Sequence, residues 1–484
     1  MKQYKIAAFM LASLPLVSCG TTAPLSDATE TSDNSDSIVS DAQFDSEPAP
    51  DIPDDLDFEG ETITILYRDE MKNEFWTEEV NGEVVNDAVF ARNAAVEEQL
   101  NCTLEYIPNT STDWYGGYQA VISNSILAGD EAYDIISGPS FHIPTLIVDG
   151  YLYDLSTVDY VDFNQPWWTQ SLLETTSFGG KIYLVSGDIS LGMIKYLHCT
   201  YFNKRLASDY GIEDLYQTVL SGKWTVDKMN ELCTDRTTDL NGDGQISLND
   251  DSFGYVITNT TLWRAYIDAL GVNYLHIGSD GYPEFDFSNS RSFEVCDLFT
   301  KWVGPGSSKD IIIGQGNDST YEIFKSGRAL FVMGRFVDSE TTYREMTDDY
   351  GILPIPKWDE SQDYHVTING SESTFGIPVN SSKTDRLGAV LELLAYESYK
   401  TVTPAYYEEA LKIKYTRDDT AAQIIDIIKN GARFNPTVQM SKLLGGTDYY
   451  IIECAVAGSS LATKFASIEK SMTAKLDEVL ELIS

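Results

Sequence analysis

Basic residues are scarce: 33 Lys and Arg stand against 75 Asp and Glu, a formal net charge of -42 over 484 residues. A surface that acidic repels phosphate, which excludes nucleic acid as a partner and leaves neutral or cationic small ligands open. Histidine is scarcer still. His142, His198, His276 and His365 are scattered and no HExxH occurs, so a zinc-hydrolase site is lacking. CxxC is absent, which excludes zinc ribbons and thioredoxin-type redox pairs. GxSxG, a P-loop and GxGxxG are absent as well. Past the first 18 residues, no apolar run is long enough to cross a bilayer. What remains is 43% hydrophobic and 12% aromatic residues, enough for a core and against global disorder. The length exceeds what one core covers and predicts two or more lobes.

The N-terminus carries Lys2 and Lys5, then an apolar stretch from Ile6 to Leu16. That stretch is too short for a mature membrane span and reads as a signal peptide, residues 1–18. Leu16-Val17-Ser18-Cys19 follows and resembles the lipobox of bacterial lipoproteins. The resemblance implies cleavage before Cys19, a diacylglyceryl thioether on its sulfur and a further acyl chain such as palmitate. Two or more acyl chains anchor a protein stably. From Gly20 to Glu59 there is no Lys or Arg, and Asp, Glu, Ser, Thr, Ala and Pro dominate. Residues 19–59 are therefore expected to form a disordered acidic linker on the extracytoplasmic face of the cell membrane.

Beyond Cys19, the five cysteines Cys102, Cys199, Cys233, Cys296 and Cys454 are widely spaced. In a body this large they read as mostly buried, reduced thiols. One metal motif is specific. Residues 239–250 fit the twelve-residue calcium loop, which needs hard oxygen ligands at fixed spacing. Asp239, Asn241 and Asp243 occupy positions 1, 3 and 5, Gly244 the sharp turn at 6, and Gln245 offers its carbonyl at 7. Asp250 stands at position 12, where EF-hands carry Glu and dockerin-type loops resemble this one in carrying Asp. The loop occurs once inside a large body, so it is read as a structural calcium site.

The body opens with an alternating strand, Thr62 to Tyr67, a helix from Asp87 to Leu100 and a second strand from Cys102 to Ile107. Tyr118 to Leu127 is helical and Tyr133 to Ile136 a short buried strand. This β-α-β-α-β order predicts an α/β, doubly wound parallel sheet, whose ligands bind at the carboxyl ends of strands. Those ends are Arg68-Asp69-Glu70 and Ser137-Gly138-Pro139-Ser140. A helix is expected over Leu387–Lys400. Apolar residues at helical spacing from Leu461 to Leu480 mark a packed terminal helix.

A series of fragments then recurs in a fixed order. Tyr133-Asp134-Ile135-Ile136-Ser137-Gly138 is followed by Asp149-Gly150-Tyr151-Leu152 and Trp167-Trp168. Gly180-Lys181-Ile182-Tyr183, Tyr201-Phe202-Asn203-Lys204 and Gly222-Lys223-Trp224-Thr225 come next. Phe324-Lys325-Ser326-Gly327-Arg328, Tyr350-Gly351-Ile352-Leu353-Pro354 and Gly376-Ile377-Pro378-Val379-Asn380 complete it. Over about residues 60–480 the order resembles the family 1 extracellular solute-binding proteins, the maltose-binding-like receptors of ABC importers. The resemblance implies a two-lobed, class II binding-protein fold with a multi-strand hinge and a ligand cleft. It places one lobe at 60–185 and 374–425 and the other at 186–373 and 426–484. It implies a monomer, not an enzyme, that delivers a carbohydrate, an oligosaccharide, to ABC permease subunits. It points to Ser137, Gly138, Ser140 and His142 as ligand-facing, with Asp188 on a crossing strand and Arg335-Phe336 where relatives often carry a stacking tryptophan.

Sugars need flat aromatics on their C–H faces and carboxylates or amides on their hydroxyls. Trp263 and Trp114 are the favoured aromatics, and Asp69, after the first strand, is a hydrogen-bonding candidate. The alternatives are a secreted glycoside hydrolase, which needs two carboxylates roughly 5–10 Å apart, and a binding protein for a non-sugar polar solute.

Overall fold

The computed structural model describes residues 48–111, 116–142, 144–257, 262–314, 317–368, 370–407 and 419–483. Trp114 and Cys19 lie outside the described residues. The chain enters through Ile52 and Phe58, both buried in the first lobe's core. This differs from the expectation of an unfolded linker to Glu59. Apolar side chains among the acids of that segment find a hydrophobic surface to cover, and the Phe58 N–H donates to the Leu100 carbonyl at 2.8 Å.

The first sheet uses β1 (Glu61–Arg68), α1 (Val84–Leu100), β2 (Cys102–Asn109), α2 (Gly117–Ala128) and β3 (Ile135–Pro139), with the short α3 (Pro144–Val148) after it. β1 is parallel to both β2 and β3. The third strand begins two residues later than its sequence suggested. Asp134 is diverted to other work: its carboxylate accepts from the Thr64 N–H at 2.8 Å and from Lys383 Nζ at 2.9 Å. Alternation assigns the two faces. Ile63, Ile65, Tyr67 and Ile135 pack on one side, Leu66 and Ile136 on the other. α2 stops at Gly129, whose φ of +65° suits only a residue without Cβ strain.

The second sheet uses β4 (His198–Asn203), β5 (Phe253–Ile257), α4 (Ser290–Val303), β6 (Ile311–Ile313), β7 (Ala329–Arg335), α5 (Phe336–Thr341) and β8 (Tyr350–Leu353). Its strand order is β6-β5-β7-β4-β8, with β5, β6 and β7 parallel and β4 antiparallel to β7 and β8. Trp224, fully buried, anchors this core and donates from Nε1 to the Pro354 carbonyl at 2.8 Å. The chain then returns as β9 (Ser373–Gly376), antiparallel to β3, so the first sheet reads β9-β3-β1-β2. α6 (Thr384–Glu397) covers it.

The crossings between the lobes touch one another. Val185 bridges Phe375, and Leu197 bridges Ile368. A third crossing is the wide-turn helical segment Ser398–Val402, which follows α6 directly. Ser398 still meets Arg92 of α1, whereas Tyr406 and Tyr407 belong to the second lobe's core, as does Ile424 of α7 (Asp419–Asn430). The chain thus leaves the first lobe between Val402 and Tyr406, earlier than the expected residue 425. Short helices α8 (Ser441–Leu444) and α9 (Tyr450–Ala457) precede α10 (Leu461–Ile483). Phe465 of α10 packs in the second lobe's core, while Met472, Leu476, Val479 and Ile483 cover Leu66, Ile136 and Leu146 of the first. The terminal helix therefore straps both lobes. Among the described residues no helix is long and apolar enough to cross a membrane. The five described cysteines are buried and free, as expected. Burial pushes the thiols of Cys102 and Cys296 up to about 11.

Candidate functional site: the junction between the lobes

The carboxyl ends of β1 and β3 in the first lobe meet those of the second lobe around β7. Arg68 ends β1 and is buried; its neighbour Asp69 stays exposed. An Arg68 guanidinium N–H donates to the Ser371 carbonyl, and Nη1 lies 3.4 Å from Glu70. β3 and the residues after it carry Ser137, Gly138, Ser140 and His142 to the same end. Ser137, Ser140 and His142 are buried. The Ser137 carbonyl accepts from the Tyr118 hydroxyl, and the Gly138 carbonyl from the Thr374 hydroxyl at 3.0 Å. Burial pushes the His142 imidazole down to about 3, and Lys442, Arg264 and Arg68 push in the same direction. The imidazole is therefore neutral.

Phe141 reaches across the junction. The Arg264 guanidinium of the second lobe lies over its ring, 5.1 Å from the centroid. Arg264 is held from behind by Asp448, which also accepts from the Ser441 hydroxyl, and it donates to the Tyr449 hydroxyl at 3.2 Å. A second bridge runs through Tyr196, whose hydroxyl donates to Met71 Sδ at 3.4 Å while the Arg335 guanidinium sits 5.6 Å from its ring. Arg335 ends β7 and pairs with Asp338 at 3.1 Å. Aromatic rings from either side thus meet guanidinium groups.

Beneath this junction lie two buried acids. Glu74 accepts from the Ser190 hydroxyl at 3.0 Å, and burial raises its carboxyl. Glu372 stands on the crossing before β9, and burial pushes it up to about 7 against the pull of Ser140 and Arg68. Gly192 lets these segments touch: a Cβ there would meet Glu74 Oε1 at 2.8 Å and Glu372 Cα at 2.9 Å.

Other expected residues fall elsewhere. Trp263 is 2% exposed and packs edge-on to Phe299 at 6.0 Å. Phe336 is fully buried. Both serve the second lobe's core, which corrects the expectation that they present faces to a ligand. Large apolar side chains beside a sheet gain more from burial than from lining a wet wall. Asp188 sits on the crossing at 186–188 beside Thr403, which donates to it, and burial pushes its carboxyl up to about 6. Sequence reasoning missed Arg264, Lys442, Asp448, Phe141 and Tyr196. The carboxyl-end rule did select the triplet holding Arg68.

A large cavity of about 1110 Å³ runs along β6 towards α9, between Ile311, Ile313, Ile452 and Val456. Its walls are mostly apolar, with Lys309, Glu453 and Lys464 among the charged side chains that line it. In the acidic loop, Asp239 accepts from the N–H groups of Gly242 (2.7 Å) and Gly244 (2.8 Å). Asn241 and Asp243 accept from Asp243 and Gln245, respectively. Asp250 is exposed. Its neighbour Asp251 closes the loop, accepting from the Leu240 and Ser247 N–H groups at 2.9 and 2.7 Å. Gly244 has the φ of +78° that the turn requires. Among the described residues, no three His, Cys, Asp or Glu side chains converge as a metal site.

A family model described as bacterial extracellular solute-binding protein matches residues 93–413. Curated protein sequences give no significant match. Solved structures of similar fold include UspC from M. tuberculosis, at 14% identity and TM-score 0.56, with 86% of this chain and 100% of that one covered. A second is the galacto-N-biose/lacto-N-biose I-binding protein of a Bifidobacterium longum ABC transporter with lacto-N-biose, at 12% and 0.56, covering 86% and 97%. A third is the maltose/maltodextrin-binding domain of Bdellovibrio bacteriovorus bound to maltotriose, at 15% and 0.51, covering 87% and 98%.

Proposed function

The chain belongs to the bacterial extracellular solute-binding protein family, and from that premise we propose that it captures an oligosaccharide between its lobes and delivers it to an ABC permease. The observation that carries this reading is the meeting of polar and aromatic groups from both lobes at one junction, with Phe141 against Arg264 and Tyr196 against Arg335. Sugars bound to proteins of the same fold support it. A ligand touching both walls favours the closed arrangement over the open one, and that difference in affinity drives closure. The crossings at 185–197 and 368–375 and the Ser398–Val402 segment are the hinge that absorbs it.

The family's members bind solutes and do not transform them. The residues proposed to face the ligand are Ser137, Gly138, Ser140, His142 and Arg335, with Asp69 at the rim. The lipid on Cys19 keeps the receptor beside its permease. Calcium in the loop 239–250 belongs to the same proposal as a structural ion; the oxygen spacing and the positive φ of Gly244 support it.

A thermal-shift screen of mono- and oligosaccharides, with and without a chelator, tests the whole reading. At least one saccharide raises the melting temperature and is recovered unchanged, and chelation lowers the baseline. Steady product release from the sugar would instead establish the hydrolase alternative.

A further inference from the structure

The chain carries more than two acids for every base, yet the junction gathers cations. Arg68 comes from the first lobe, and Arg264, Arg335 and Lys442 from the second. Three of them, Lys442, Arg264 and Arg68, bear on the His142 imidazole together. Arg68 and Arg335 bear on Tyr196.

The counter-ions sit behind the guanidiniums. Asp448 is fully buried where Arg264 is 7% exposed, and Asp338 is 2% exposed where Arg335 is 18%. Asp448 is further engaged by Ser441, and Asp338 by the Tyr321 hydroxyl at 3.0 Å and the Arg335 N–H at 2.7 Å. These acids orient the guanidiniums: Arg264 engages Asp448 through Nε and Tyr449 through Nη2, and the buried Arg335 Nε has no hydrogen-bond partner among the described residues. Lys442 is exposed at the same junction, on α8 beside α3. Of the other acids here, Glu70 lies 3.4 Å from Arg68 at the rim, while burial disfavours the charged forms of Glu74 and Glu372 beneath the site.

Resting on the reading of this junction as the ligand site, we propose that the guest is an anionic saccharide whose carboxylates are received by Arg264 and Lys442 beside His142 and by Arg335 beside Tyr196, that is, a uronic-acid-containing oligosaccharide. A guanidinium held from behind by an acid offers a planar, two-pronged face that matches a carboxylate. In a chain of net charge -42 such a face gives an anion local counter-charge that the chain as a whole does not.

The test uses trimers of galacturonate, mannuronate and glucuronate, each beside its carboxyl-reduced neutral counterpart, with glucose 6-phosphate as a phosphate arm. Calorimetry on the full mature chain reads the dissociation constants. At least one acidic trimer binds about tenfold or more tightly than its reduced form, the loss expected when a charged hydrogen-bond partner is removed. Lys442→Gln, an exposed change that leaves the core intact, and Arg335→Gln both shrink that ratio, while Arg335→Lys keeps part of it. Reduced trimers that bind as well as the acidic ones overturn the anionic guest and leave sugar capture standing. Glucose 6-phosphate as the sole binder replaces the carboxylate by a phosphate and overturns the uronide. Binding of no saccharide, acidic or neutral, removes the oligosaccharide reading itself.

Discussion

Glu372 should make the molecule less stable as pH rises, and the size of the effect follows from its position. Its side chain is fully buried on the crossing before β9, and burial pushes its carboxyl from the usual 4.5 to about 7. The folded state therefore holds this proton where the unfolded chain has already lost it. Between about 4.5 and 7 the native state binds more protons, so stability falls as pH rises through that window and then levels off. The stabilising share is fully present below 4.5. The gap corresponds to about 3 kcal/mol at its full extent. Glu372→Gln keeps the shape and cannot ionise. Denaturant melts of wild type and variant at pH 4 and pH 8 measure the difference. The variant gains up to about 3 kcal/mol on wild type between the two pH values, whatever constant cost the amide brings. Other raised acids, Asp188 and Glu392, cancel in the comparison because both proteins keep them. An unchanged gap at both pH values would refute the argument that Glu372 is held protonated by burial.

Other consequences are as direct. Gly192→Ala should cost about 1–3 kcal/mol, because its Cβ would press Glu372 Cα at 2.9 Å; equal denaturant midpoints for the two proteins would contradict this close approach. Trp224→Ala should cost about 3–5 kcal/mol by emptying the second lobe's core and freeing the Pro354 carbonyl, read as a lower midpoint with the first lobe's transition less affected. A thiol reagent should label the five cysteines of the body slowly in the native state and fully in guanidinium; fast native labelling of Cys102 or Cys296 would contradict their burial and raised pKa.

The first sheet was legible because its strands and helices alternate at clean periods, and because Leu66 and Ile65 each have an apolar layer to face. The order of short fragments carried the rest of the fold. The exit was not legible, since α6 continues without a break into the Ser398–Val402 segment and the first proline, Pro404, stands only beyond it. Of the site, the carboxyl-end rule picked out residues 68–70 and 137–140 and could not say that Arg68 turns inward while Asp69 faces solvent. Arg264, Lys442 and Asp448 lie in segments far apart in the chain from Arg68 and His142, and only the lobe crossings bring them together. Tryptophan chemistry misled at Trp263, because an aromatic suited to a sugar is equally suited to a core. Net charge pointed away from anions, but a total over the chain does not describe the field in one cleft.

Small-angle X-ray scattering of residues 48–484, before and after saturation with a saccharide found by thermal shift, tests the two-lobed capture most directly. Contraction of the radius of gyration on binding, with the saccharide recovered intact, is the predicted result. An unchanged radius at saturation would contradict closure around the guest.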